Sequence, residues 1–225
     1  MPDLVWAAVI PAYNASATIR SVVTGVARHI PTSAILVVDD GSGDDTAAAV
    51  HDTGARIYRR PANGGKGHAL RDGFKRVWEL HPDWILCLDA DGQHDPKAIP
   101  EFQRASAGGI YDLLIGNRTG DLADMPLSRR FSNHTSSALL SFRTGQKMLD
   151  VQCGYRAIRA DWLKQLTLSS GGYDIEVEMI LQTWKRGGRI GWVPIPTIYQ
   201  GEPSFMRKLP ETIRFLRLFI RSYYE

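Results

Sequence analysis

Short apolar runs and stretches of helical periodicity take turns along the first half of this chain. Residues 5–11 form one such run and predict a buried strand; Ile19, Val22, Val23, Val26 and Ile30 then recur on one helix face, with Ser16 placed to cap it. The alternation continues as a strand over 34–38, a short helix over 45–51, a strand over 56–59, a helix from about 67 to 79 and a strand over 84–88. This βαβαβαβ order predicts an α/β protein with a mostly parallel sheet wrapped by right-handed crossovers. A further strand over 112–116 ends at Asn117-Arg118. Beyond it the rhythm changes to a helix over 128–142, a strand over 153–158, a helix over 175–185 and a closing amphipathic helix. No repeat, low-complexity tract or linker divides the chain, so one domain over residues 1–225 is expected.

Composition narrows the classes. The 225 residues are 44% hydrophobic and 23% charged, as in an ordinary globular protein. A net charge of +3 and a pI near 8.9 are too weak to imply a nucleic-acid partner. Cys87 and Cys153 lack metal spacing and read as reduced thiols of a cytosolic protein. The first residues lack the features of a signal peptide, and no apolar run approaches the roughly 18 residues that span a bilayer. Any membrane contact is therefore expected to be peripheral, at the cytoplasmic face, or through a membrane-protein partner.

Candidate chemistry gathers where apolar strands end in acid. In Cys87-Leu88-Asp89-Ala90-Asp91-Gly92-Gln93-His94 two carboxylates stand at i and i+2, so Asp89 and Asp91 can meet one hard cation as the strand opens into a loop. Ile35-Leu36-Val37-Val38-Asp39-Asp40 ends the same way, and two such strands at one sheet edge suggest a metal-dependent nucleotide site. Gly64-Gly65-Lys66-Gly67 lacks the spacing and following hydroxyl of a phosphate-binding P-loop, and Pro11-Ala12-Tyr13-Asn14 stands where a dinucleotide fingerprint would lie. What remains is a nucleotide bound at the strand ends, with Asp39 accepting from base or ribose and a Mg²⁺ or Mn²⁺ ion held by Asp89 and Asp91 on the diphosphate. Other readings stay open: Asp39 or Asp40 caps the next helix, Lys66 lies in a glycine turn, and His94 either orients a metal ligand or is solvated.

Six segments carry a family resemblance: Ile10-Pro11-Ala12-Tyr13-Asn14, Val38-Asp39-Asp40-Gly41-Ser42, Asn63-Gly64-Gly65-Lys66-Gly67, Asp89-Ala90-Asp91-Gly92-Gln93-His94, Gly116-Asn117-Arg118 and Gln152-Cys153-Gly154-Tyr155-Arg156. In these the chain resembles the family-2 glycosyltransferases of the GT-A fold, and within them the dolichol-phosphate mannose and glucose synthases. The resemblance implies a Rossmann-like, mostly parallel sheet flanked by helices, with residues 1–118 as the nucleotide-sugar half and 119–225 as the acceptor half. It implies that Pro11, Tyr13 and Asp39 hold the nucleoside, with Asn14, Lys66 and Ala90 completing the donor set beside Asp89 and Asp91. It further implies that Asp89, Asp91 and Gln93 organise the metal and that Arg118 approaches phosphate. The implied reaction is inverting transfer of a hexose from a GDP-mannose or UDP-glucose type donor to a polyprenyl or dolichyl phosphate. Gly43-Asp44-Asp45 and His68 depart from the common pattern and bear on the sugar.

The acceptor decides whether a base is needed. A phosphate monoester with a second pKa of about 6 is already an anionic nucleophile at neutral pH, whereas a sugar hydroxyl needs a carboxylate. Asp174, Glu176 and Glu178 could supply one, or could be solvated or structural. In an ideal closing helix Leu209, Ile213, Leu216, Phe219, Ile220 and Tyr223 share a wide face, with Arg214, Arg217 and Arg221 opposite. That suits an anionic membrane surface and equally a helix packed on the sheet. Arg129, Arg130, Ser204 and Arg207 extend the candidate acceptor-phosphate site around Arg118. The alternatives are transfer to a saccharide hydroxyl, a nucleotidyltransferase, and a silent nucleotide-sugar sensor seated on the membrane.

Overall fold

The computed structural model describes residues 4–120, 125–198 and 208–224. Seven strands form one sheet: β1 (Trp6–Ala12), β2 (Ile35–Asp39), β3 (Arg56–Arg59), β4 (Trp84–Cys87), β5 (Leu113–Asn117), β6 (Arg156–Arg159) and β7 (Ile190–Pro194). Their order is β3-β2-β1-β4-β6-β5-β7. Only β6 runs against its neighbours, pairing antiparallel with β4 and β5. The carboxyl ends of β1, β2, β4 and β5 therefore share one edge with the amino end of β6, where Cys87 pairs with Arg156.

The helices are α1 (Ile19–Val26), α2 (Thr46–His51), α3 (Lys66–Val77), α4 (Ile99–Ala107), α5 (Leu127–Thr144), α6 (Ala160–Leu163), α7 (Ile175–Lys185) and α8 (Lys208–Arg221). β1, β2 and β4 are buried along their whole length, which explains their continuous apolar runs in place of alternation. Helix α3 lies close on β1 and β2 because Gly73 has no Cβ; one there would overlap Val9 and come within 3.1 Å of Val38.

Several expectations need correction. Thr18, not Ser16, takes the cap position of α1; the Ser16 amide instead donates to Asp44 Oδ2 at 3.0 Å. Three elements escaped the sequence reading: α4, the single-turn α6 and β7. Helix α4 buries only Ile99, Phe102 and Ser106, too few for a clear period, and β7 contains Gly191 and Pro194, which read as loop. The strand expected over 153–158 starts only at Arg156, because residues 153–155 follow the turn at 151–152 as irregular chain before the ladder with β4 and β5 begins. On α8 the packed stripe is Phe215, Leu218, Phe219 and Ser222. Ile213, Leu216, Ile220 and Tyr223, expected on the same face as Phe219, are 41–56% exposed. Arg143 of α5 sets this rotation, since it donates to the Ser222 hydroxyl and carbonyl while stacking on Trp184 and Tyr223.

Candidate active site

Two loops build one side of the cleft edge. Asn14, at φ 49°, donates its amide to Ser42 Oγ (2.9 Å) and accepts from the Gly43 amide (2.9 Å), so the ends of β1 and β2 are tied together. The adjacent aspartates have different tasks. Asp40 accepts from the amides of Gly64 and Gly65 and from Arg60, which fixes the glycine loop ahead of α3. Asp39 is fully buried; its Oδ1 accepts from the Ser42 amide at 2.9 Å. Its Oδ2 lies 3.3 Å from Arg59 Nε but has no hydrogen-bond partner, so it keeps an acceptor available to a ligand.

Lys66 opens α3 and reaches the centre of the site. Its buried ammonium bridges Asp89 and Glu176 Oε1 (2.6 Å), beneath the Tyr173 ring. Burial opposes its charge, but the two carboxylates more than compensate and raise its pKa. Asp89 sits between Lys66 on Oδ1 and His94 Nε2, 3.4 Å from Oδ2. Although burial disfavours its charge, Lys66 and His94 hold its pKa well below the usual carboxylate range. Asp91 is pushed the other way, by burial and by the charge of Asp89. Its Oδ1 accepts from the Gln93 amide at 2.9 Å, while Thr18 Oγ1 anchors the Ala90 carbonyl at 2.6 Å. Gln93 Oε1 faces Arg129 at 3.4 Å.

These donors fit a hard divalent ion. Among the described residues no three His, Cys, Asp or Glu side chains converge. The carboxylates of Asp89 and Asp91, with the side-chain carbonyl of Gln93, are oxygen donors of the kind that suits Mg²⁺ or Mn²⁺, ions that complete their shells with phosphate and water. Gly154 makes the cluster possible from across the sheet. A Cβ there would lie 2.6 Å from Asp89 Oδ2 and 2.7 Å from Lys66 Nζ. Gly154→Ala is therefore expected to displace the Asp89–Lys66 pair and lower kcat about 100-fold, with a small change in Tm; activity within threefold of wild type would show that the pair tolerates displacement.

Residues 7–167 match the family model described as Glycosyl transferase family 2. The chain belongs to that family. It is 33% identical to the undecaprenyl-phosphate mannosyltransferase of Micrococcus luteus over 198 residues, 83% of this chain and 81% of that one. Polyprenol monophosphomannose synthase of Mycolicibacterium smegmatis is 30% identical over 201 residues, 83% of this chain and 75% of the relative. The fold matches glucosyl-3-phosphoglycerate synthase from Mycobacterium tuberculosis in complex with UDP, with a TM-score of 0.79 at 21% identity, over 97% of this chain and 80% of that chain. This is the GT-A-like fold expected of a family 2 glycosyltransferase.

The remaining expected site residues of the glycosyltransferase fall into separate neighbourhoods. Pro11 lies buried in β1 and Tyr13 is exposed just beyond it. Arg118 gives Nε and Nη2 to the buried carboxylate of Asp150, each at 2.8 Å, and Asn133 also donates to Asp150. Arg130 donates to the Met125 carbonyl at 2.7 Å. Ser204 and Arg207 lie outside the described residues. The structure does not bring Asp174 into the Asp89 cluster: its Oδ1 accepts from the Gly172 amide at 3.0 Å, near Glu211 and Arg214 of α8. Glu178 accepts from the amides of Ser169 and Ser170 and is structural.

Sequence reading missed Asp150 and the task of Arg156. Arg156 is 1% exposed and donates to the carbonyls of Val151, Cys153 and Glu176, so it locks the β6 turn to the start of α7. Its place beside Gln152-Cys153-Gly154 was visible; its partners, all backbone, left no sequence signal. His94, for which solvation was one expectation, is 3% exposed. Both cysteines are buried and unpaired, and burial pushes their thiols up to about 12.

Proposed function

We propose that this glycosyltransferase moves a hexose from a nucleotide diphosphate sugar to a polyprenyl phosphate, with inversion. One observation carries the reading: of the three acids around the start of α7, the one that joins the Asp89 cluster is already engaged by a cation, and the other two are tied to backbone amides. Glu176 is paired with Lys66, Asp174 caps the Gly172 amide and Glu178 clamps residues 169–170. An acceptor that is already an anion needs no base. The names of the two bacterial relatives support the same acceptor class.

In this reading Asp39 accepts from the nucleoside through Oδ2, with Pro11, Tyr13 and Asn14 shaping that end of the site. Asp89, Asp91 and Gln93 would hold a divalent ion, and its charge would offset that developing on the diphosphate. The acceptor phosphate oxygen forms the new bond to the anomeric carbon as the bond from that carbon to the diphosphate breaks. The nucleoside diphosphate leaves with the electron pair, and no proton need be removed from the acceptor. Lys66 holds Asp89 and Glu176 in place before the donor arrives, and Ala90 and Lys66 complete the proposed donor set. Arg118, directed by Asp150, and Arg130 place positive charge on the acceptor side.

A panel of UDP- and GDP-sugars with Mg²⁺ or Mn²⁺, each with and without a short polyprenyl phosphate, tests this. Nucleoside diphosphate release stimulated at least tenfold by the lipid is expected. Release that the lipid leaves unchanged would redirect the acceptor to a hydroxyl.

Among the described residues no helix is long and apolar enough to cross a membrane. The enzyme instead reaches its lipid from the cytoplasmic membrane face through α8, whose Ile213, Leu216, Ile220 and Tyr223 are exposed beside Arg214, Arg217 and Arg221. Replacing Ile213, Leu216 and Ile220 together by serine is expected to weaken binding to anionic vesicles at least tenfold with little change in Tm, since these side chains are 41–56% exposed and stand apart from the stripe packed on the core. Unchanged cosedimentation would remove α8 from the membrane contact.

A further inference from the structure

His94 stands where a polar ring is costly. It is 3% exposed, and its Nδ1 has no hydrogen-bond partner. Tyr155 lies against it with ring centroids 5.2 Å apart, and Phe102 of α4 backs Tyr155 at 4.7 Å. An apolar side chain of similar size would fill this space without leaving a buried nitrogen unsatisfied. The only polar side chain that the ring addresses among the described residues is Asp89, whose Oδ2 is 3.4 Å from Nε2.

The backbone around His94 aims it there. Gly92, at φ 76°, turns the chain back after Asp91. Asp95 follows as the cap of a short 3-10 helix, accepting from the Lys97 amide at 3.0 Å, and the Tyr155 hydroxyl approaches the Asp95 carbonyl at 3.4 Å. The histidine is thus fixed from both sides in sequence and supported from behind by two aromatic rings. Lys66 occupies the other oxygen of Asp89. Between them the two residues determine which way this carboxylate faces, but they are not equivalent. Lys66 is a long chain shared with Glu176, whereas the imidazole is a short, rigid group whose Nε2 faces Asp89.

We propose that His94 is a positioning residue of the metal site: its Nε2–H holds Asp89 Oδ2 in the orientation that receives the divalent ion. The inference rests on the reading of Asp89 as a metal ligand. It places the donating hydrogen on Nε2, toward Asp89, and leaves Nδ1 on the side without a partner. It also gives α4 a part in the site, because Phe102 and Tyr155 keep the ring from turning away.

Two substitutions separate this task from packing. His94→Phe keeps a ring against Tyr155 and loses the N–H; His94→Gln keeps an N–H and loses the ring. Mn²⁺ affinity is measured by electron paramagnetic resonance in the presence of UDP and, separately, GDP, with Tm as the control for folding. The expected result is a 10- to 100-fold loss of Mn²⁺ affinity in His94→Phe at near-native Tm, and a loss under about fivefold in His94→Gln. The Mn²⁺ concentration for half-maximal turnover should rise in the same order, with kcat at saturating metal falling less. The reverse order, equal losses, or unchanged affinity in His94→Phe would overturn the proposal. If His94→Phe does not fold, His94→Ala with added imidazole makes the comparison: recovered Mn²⁺ affinity supports the positioning role and its absence overturns it. Absence of Mn²⁺ binding by the wild-type protein itself would instead refute the metal assignment on which the inference stands.

Discussion

Asp91→Asn is expected to reduce turnover by about 1000-fold or more while making the metal-free protein slightly more stable at neutral pH. The two halves of this result have one cause. Burial and the neighbouring charge of Asp89 raise the Asp91 pKa, so the folded state resists ionising it. A carboxyl whose folded pKa lies above its unfolded value destabilises the fold as pH rises through the unfolded value and beyond. Asparagine keeps the shape and the acceptor that Gln93 uses, but removes that charge. In EDTA the variant should therefore melt higher than wild type at pH 7, with the difference closing toward pH 3. Turnover is lost because the charge that is unfavourable in the empty site is the one that a cation requires. A variant retaining a tenth of wild-type turnover would refute the assignment of Asp91 to the metal.

Lys66→Met should damage both stability and turnover. The substitution leaves Asp89 and Glu176 facing each other without their shared counter-ion, and breaking a buried ion pair from one side costs about 3–5 kcal/mol. In wild type the depressed Asp89 pKa contributes stability above the unfolded carboxylate value, which is lost as pH falls through the folded one. In the variant that contribution is absent, and Asp89 becomes easier to protonate. Its deficit should be largest near neutral pH and shrink on acidification into the carboxylate range. Urea titrations at pH 7 and pH 4 measure this. A deficit that does not depend on pH would mean that the lysine acts through packing of its stem and not through its charge. Adding Glu176→Gln to Lys66→Met should recover part of the stability but little activity, since Asp89 still lacks its partner.

Local signals made the donor side of the site legible. Strands β1, β2 and β4 are buried on both faces and announce themselves as apolar runs, and Asp39, Asp89 and Asp91 terminate or follow them. Period, cap residues and strand ends are short-range properties of a sequence. The acceptor side depends on longer-range partners. Nothing near Lys66 names Glu176, 110 positions away, or shows that the pairing removes a candidate base. Arg118 reads as an open fork until Asp150 is brought beneath it. Helix α8 shows the limit most clearly: its composition supports two apolar stripes, and only the docking of Ser222 against Arg143 selects the one turned inward.

The reversed strand β6 also bears on how the chain could be divided. β5 belongs to the first 118 residues, yet its place in the sheet is beside β6, from the second part, and β6 fills the gap next to β4. A break after residue 118 would leave β4 and β5 in one fragment without the strand that separates them, and β6 and β7 in the other without a common neighbour. Neither fragment is expected to be stable by itself, but coexpressed they should reassemble by strand insertion. The stretches of sequence on either side of residue 118 are thus interleaved like two hands of cards, and a hybrid made by joining halves of different relatives must match across β6 to fold.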